Sequence, residues 1–296
     1  LSQEELAFLA ANDPDPFNRW DAMNRLLIDA VHAQTRARLL KTPEDVSPLV
    51  ISAASKILRD ENLSPAFKAV ALTMPGEKLV AEEDPLIDPH AVHAGWIAVR
   101  QAIGEKNISA FLEAAQANIV EGPYEPTPEK AGRRALRNLA LGYAHAAGSP
   151  RAAIMIKDQF MTANNLTDKL AALHMMANSQ TPAKQDMEVD ALKAWYHEPL
   201  LINKWLTIQA TAPSFPGEAR VLERVRELTR CPFFSLKNPN NVYALLLGYF
   251  QQNPSEFHLA DGSGYAFWAE MVLELNRINP QVAARVARSL DNWRRY

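Results

Sequence analysis

A His-Glu dipeptide, two histidines three apart, a glycine-dense turn and one thiol are the residues whose types and spacing could do chemistry. A hydrolytic zinc helix places two His at i and i+4 with a Glu beside the first, so that the imidazoles hold the metal and the carboxylate activates water. His197-Glu198-Pro199-Leu200-Leu201 begins that way, but the second His is missing and Pro199 would interrupt a helix through that point. His90 and His93 fall in the first turn of a predicted helix without an identifiable third ligand, and read as solvated or capping residues. His32, His145, His174 and His258 are isolated. No Gly-x-Ser-x-Gly elbow supplies a nucleophile. The segment Asp261-Gly262-Ser263-Gly264-Tyr265 has neither the preceding strand nor the Lys of a phosphate loop, and reads as a tight turn feeding a helix from Tyr265, capped by Asp261 or Ser263. Cys231 stands alone, which excludes an intramolecular disulfide and fits a reducing compartment. The sequence therefore predicts no catalytic residue, metal ligand or cofactor site in this chain, and function falls to its surface.

The bulk properties narrow that surface. The 296 residues are 48% hydrophobic and 22% charged with a formal net charge of -3, so no overall cationic field draws nucleic acid or anionic lipid. No N-terminal leader is visible, and the longest apolar run, Tyr243 to Phe250, is too short to span a membrane, so the cytoplasm is the expected location. The first residue is Leu1 rather than Met, as expected of a segment excised from a longer polypeptide. The basic clusters at Arg133-Arg134-Arg137, at Arg220, Arg224 and Arg226, and at Arg294-Arg295 have acidic neighbours in sequence and read as solvated helix faces. Most of the six tryptophans fall at positions expected to pack between helices.

The elements that would carry these residues are announced by proline. Thirteen of the twenty Pro follow Ser, Thr, Asp or Asn, the pairing of an N-cap with a first helical residue: Pro14, Pro16, Pro43, Pro48, Pro65, Pro85, Pro89, Pro128, Pro150, Pro182, Pro239, Pro254 and Pro280. Apolar residues at helical spacing follow most of them, such as Phe17, Trp20, Met23, Leu27 and Val31, or Val282, Val286, Leu290 and Trp293. A second helix inside the gap from Pro89 to Pro128 is predicted to start near Asn107. Alternating strand patterns are missing. About a dozen helices with short connections predict an all-α chain of antiparallel pairs, an irregular α-solenoid of HEAT or armadillo type. No linker divides it, so residues 1–296 read as a single domain.

Several segments also read as family words: Asn12 to Trp20, Asn164 to Asp168, Lys204 to Ala210, Asn238 to Asn240, and the tail from Phe257 to Val286 with DGSGY and NPQVAAR. Together they resemble the C-terminal helical domain of bacterial aminopeptidase N, a family of zinc-dependent gluzincin aminopeptidases of the alanyl type. That resemblance implies a parent enzyme that removes N-terminal residues from peptides, with its zinc and catalytic groups on another stretch of polypeptide. It implies that this domain is inactive alone and closes over the active site, limiting access. Its partners would be the catalytic and N-terminal domains of the same polypeptide and peptide substrates. Candidate cavity-lining residues are Asn240, Asn241, Asp261, Ser263 and Tyr265. Relatives carry a basic residue after NPN and an Arg two positions on, where this chain has Asn241 and Tyr243. The alternative from residue patterns alone is an independent HEAT-like scaffold that binds a protein or peptide.

Overall fold

A computed structural model describes the backbone of residues 1–296 and every side chain except that at position 83. The described residues are helical with no strand, as the periodicity predicts. They form two compact units, residues 1–84 with 91–172, and residues 85–90 with 173–296.

In the first unit run α1 (Gln3–Asn12), α2 (Pro16–Leu39), α3 (Pro48–Arg59), α4 (Pro65–Ala71), α5 (Glu77–Val80), α6 (Pro89–Lys106), α7 (Ile108–Ala117), α8 (Pro128–Ala146), α9 (Pro150–Thr162) and α10 (Leu166–Ala177). The unit boundaries fall inside α6 and α10. Pro and cap work together at these starts: Asp15, Ser47, Ser64, Thr127 and Ser149 each accept a backbone N–H of the first turn from their side chains. Asn107 precedes α7 as expected, although its amide donates backwards to Ile103 rather than capping forwards. α1 packs on α2 and α3, α7 on α8, and the more distant α4 also packs on α8. Met23, Leu26, Leu27, Ile57, Leu72, Ile103 and Leu141 are enclosed between them. Where α6 meets α8, a Cβ on Gly104 would collide with the Tyr143 carbonyl oxygen.

The second unit holds α11 (Ala183–Trp195), α12 (Pro199–Thr211), α13 (Val221–Leu228), α14 (Pro239–Val242), α15 (Gly248–Gln252), α16 (Pro254–Phe257), α17 (Ser263–Ile278) and α18 (Pro280–Ala287). Its centre is α12, packed on α11, α13 and α15, with Tyr249, Phe250, Phe257 and Phe267 clustered beside it. Pro199 starts α12 after Glu198.

Three expectations change. Pro14, Pro43, Pro85 and Pro182 do not begin helices. The helix expected to run to Trp293 ends at Ala287 in 3-10 turns, leaving Trp293 57% exposed, and Phe17 is 66% exposed although it keeps the spacing of the buried Met23 and Leu27. The third concerns charge: several arginines of the basic clusters are not solvated surface charges. Arg133 donates to the Ala117 and Ile119 carbonyls, Arg137 to Ala115, and Arg224 to Gln209 and Ala212. Those carbonyls close α7 and α12, where the last turn has no helical donors of its own.

Gly104→Ala is expected to lower unfolding free energy by about 2 kcal/mol, the clash with backbone exceeding the gain in helix propensity. Gly76→Ala, where the new methyl meets nothing within 4 Å, serves as the control and should stay near wild type in urea denaturation.

Candidate functional site

The five candidate cavity residues all lie in the second unit. Asn238 caps α14 by accepting the Asn240 N–H, and the Asn240 side chain is left exposed. Asn241 is buried, accepts from the Ser235 N–H and donates to Asn203 Oδ1 at 2.8 Å. It therefore holds the Ser235 loop onto α12. Immediately after α14 the chain makes a π-turn over Tyr243–Leu247, an irregularity that often marks functional positions.

Asp261, Ser263 and Tyr265 come together at the start of α17, and each residue of DGSGY has a local task. Asp261 accepts from the backbone N–H and the hydroxyl of Ser263 and from Arg220. Gly262 takes φ +69, a conformation that side chains rarely adopt. Gly264 sits where any Cβ would meet the Phe257 carbonyl oxygen. The Tyr265 hydroxyl shares a 2.7 Å hydrogen bond with His258 Nδ1, and the other face of the cluster is closed by Tyr296, stacked on the His258 ring at 3.7 Å. The helix begins at Ser263 with Gly262 at its N-cap, two residues before the expected start at Tyr265 and without the side-chain cap expected from Asp261 or Ser263; the His258 contact depends on α16 folding back onto α17 and was not legible.

The electrostatics follow from this packing. Burial pushes His258 down to about 4, so its imidazole is neutral near pH 7. Burial also raises Tyr265 and Tyr296. The two hydrogen bonds from Ser263, helped by Arg220, hold Asp261 below the usual carboxylate range. The site thus presents a neutral His–Tyr pair beside an exposed Arg220–Asp261 ion pair, equipped to orient polar groups by hydrogen bonding. A cation that sequence reading missed lies near the π-turn: the Arg285 guanidinium sits 4.9 Å over the Tyr243 ring. Its signal was the Arg of NPQVAAR, eight positions before the chain's Trp293 and far in sequence from Tyr243.

The other sequence candidates are dispersed. His93 pairs with Glu77 at 2.8 Å, and His197 lies edge-on to Tyr196. Among the described residues no three His, Cys, Asp or Glu converge as a metal site, and no helix is long and apolar enough to cross a membrane. Cys231 is half-buried, its thiol raised by burial and by the Glu227 charge.

Residues 3–296 match the family described as "Domain of unknown function (DUF3458_C) ARM repeats". The chain belongs to this family. ARM repeats agree with the all-α, solenoid-like fold class read from the helix pattern. Over 295 residues the chain is 33% identical to aminopeptidase N of Escherichia coli strain K12, covering 100% of this chain and 33% of that protein. It is also 33% identical over 291 residues to aminopeptidase N of Caulobacter vibrioides, covering 97% of this chain and 33% of that protein. Among solved structures, Legionella pneumophila aminopeptidase A in complex with aspartic acid matches with a TM-score of 0.86 at 25% identity, over 100% of this chain and 35% of that one. This DUF3458_C chain spans about 33% of the length of the aminopeptidase N relatives, in their C-terminal part, where the motif resemblance places it.

Because the folded-state pKa of His258 lies below its ordinary 6.5, the unfolded chain takes up the extra proton first. Its contribution to stability is complete above about pH 6.5 and is lost as pH falls toward about 4. His258→Gln should flatten the fall in urea midpoint across that window; identical slopes in the two proteins would remove the burial assignment. Gly264→Ala should destabilise by about 2 kcal/mol or more, because backbone rather than a movable side chain blocks the methyl.

Proposed function

We propose that this chain is the non-catalytic, cavity-forming domain of a zinc-dependent aminopeptidase that releases N-terminal residues from peptides in the cytoplasm. The observation that carries the reading is the alignment of its entire length with about a third of aminopeptidase N, together with the structural match to aminopeptidase A. The described residues do not fit a zinc centre, so the metal and the reacting groups are assigned to the remaining part of the parent polypeptide. What this chain would supply is a surface rather than chemistry, since helices packed over an active site exclude water and limit substrate size.

In this reading Asn240, Asp261 and Ser263 form part of the wall facing peptide substrate, Asn241 fixes the wall's shape through Ser235 and Asn203, and Tyr265 does so through His258. Neither Asn241 nor Tyr243 carries the positive charge that relatives place in that segment. Arg285, over Tyr243, is a cation placed to take up the role of holding a substrate carboxylate.

The isolated chain, given alanine p-nitroanilide and added zinc, is expected to release no p-nitroaniline above the uncatalysed rate. Turnover on the order of 1 per second or faster, the range of working enzymes, would overturn the assignment.

A further inference from the structure

Where α11, α12 and α13 meet, the second unit encloses a group of charged side chains apart from the candidate cavity residues. Lys184 and Glu188 stand one turn apart on one side of α11. Lys184 is buried, and its Nζ meets both carboxylate oxygens of Glu218, at 3.0 and 2.9 Å, and lies 4.9 Å from the centre of the Phe215 ring. Glu218 also accepts the Phe215 backbone N–H at 3.2 Å, so this ion pair ties the connection 213–220 to α11. Glu188 is anchored to α12, where its backbone carbonyl accepts from the Trp205 indole at 3.0 Å. A short turn joins α11 to α12 and folds the two back on each other, which brings Gln209, one turn beyond Trp205, level with the Lys184 end of that side. From α13, Arg224 donates to the Gln209 carbonyl at 3.0 Å and brings a second cation to the same place.

The Glu188 carboxyl is the unfinished member of this group. Its Oε1 and the Nε2 of Gln209 are an acceptor and a donor removed from solvent, and neither has a hydrogen-bond partner among the described residues. Burial raises the carboxyl above its ordinary 4.5; Lys184, the Gln209 amide and Arg224 act against burial, and the Glu218 charge adds to it. These are the groups that reach Glu188 from α11, α12, α13 and the connection, while Glu256 of α16 acts on Arg224. The single charge of Lys184 thus has two carboxyls to serve, and only Glu218 holds the connection. An ionised Glu188 competes for that charge and repels Glu218; a neutral one does neither.

We propose that Glu188 is a proton-operated catch on the connection 213–220: neutral, it leaves Lys184 committed to Glu218 and the connection held; ionised, it draws on Lys184 and the connection loosens. The proton is exchanged with solvent, and the catch stands or falls separately from the cavity assignment.

Two measurements on the full chain test it. In an NMR titration the Phe215 amide proton, which reports its bond to Glu218, should show a step with a midpoint above pH 4.5, and Glu188→Gln should abolish that step. Glu218 cannot produce it, because against burial its hydrogen bonds with Lys184 and the Phe215 N–H hold it below 4.5. In urea, a carboxyl raised in the folded state contributes stability that is complete below pH 4.5 and is lost as pH rises through the folded value. Glu188→Gln, which cannot ionise, should therefore have a higher midpoint than wild type at neutral pH, and the gap should close toward pH 4.5. Should the variant not fold, the wild-type Phe215 step decides alone. A Phe215 amide that stays flat above pH 4.5 in wild type, an unchanged step in Glu188→Gln, or a urea gap that widens toward acid would each overturn the catch.

Discussion

Helix ends buried in the interior leave carbonyls without helical donors, and meeting them is the constraint on which the rest of this structure depends. Each helix has a last turn whose carbonyls lack intrahelical donors, and inside a packed protein water does not always reach them. Long cationic side chains from a neighbouring helix do the work here. Arg19 donates to Ala10 and Ala11 at the end of α1 and pairs with Asp60; Lys68 donates to Leu58 at the end of α3; Arg133 and Arg137 close α7; Arg224 closes α12, where the neutral Asn253 amide also donates to Ala210. The negative end of the helix dipole favours the same placement. Charge in this protein is thus a means of joining one helix to the next.

The motif residues obey a related economy of position. DGSGY looks like a ligand loop in sequence, yet Asp261 accepts from the Ser263 N–H and hydroxyl where α17 begins, Gly262 turns the chain, Gly264 admits the Phe257 backbone, and Tyr265 holds His258. In NPN, Asn238 is the cap and Pro239 the first helical residue, and in NPQVAAR the Asn279 side chain accepts from the Gln281 and Val282 N–H groups. Side chains such as Asn240 and Asp261 are thus displayed by a frame that their neighbours make rigid.

The helical class, most helix starts and the core faces were legible in the sequence because they rest on local physics. A cap followed by Pro sets the start within two residues, and the spacing of Met23, Leu27 and Val31 sets the buried face of α2. Reading failed where the partner is distant in sequence. Arg133, Arg137 and Arg224 look like surface charge until the carbonyls they meet are known, His258 gives no hint of Tyr265 and Tyr296 around it, and Arg285 is 42 positions from the Tyr243 ring it covers.

By itself, then, the amino-acid order determined the helices, their caps and the absence of any recognisable catalytic or zinc motif, since each depends on side chains within a turn or two of one another. Only the tertiary structure decided which cations are consumed in closing helix ends, which polar motif residues are bound internally and which are displayed, and where the chain forms two compact units. Those outcomes depend on which groups lose water and which partners they then meet, and desolvation is a property of the packed chain that no local pattern encodes.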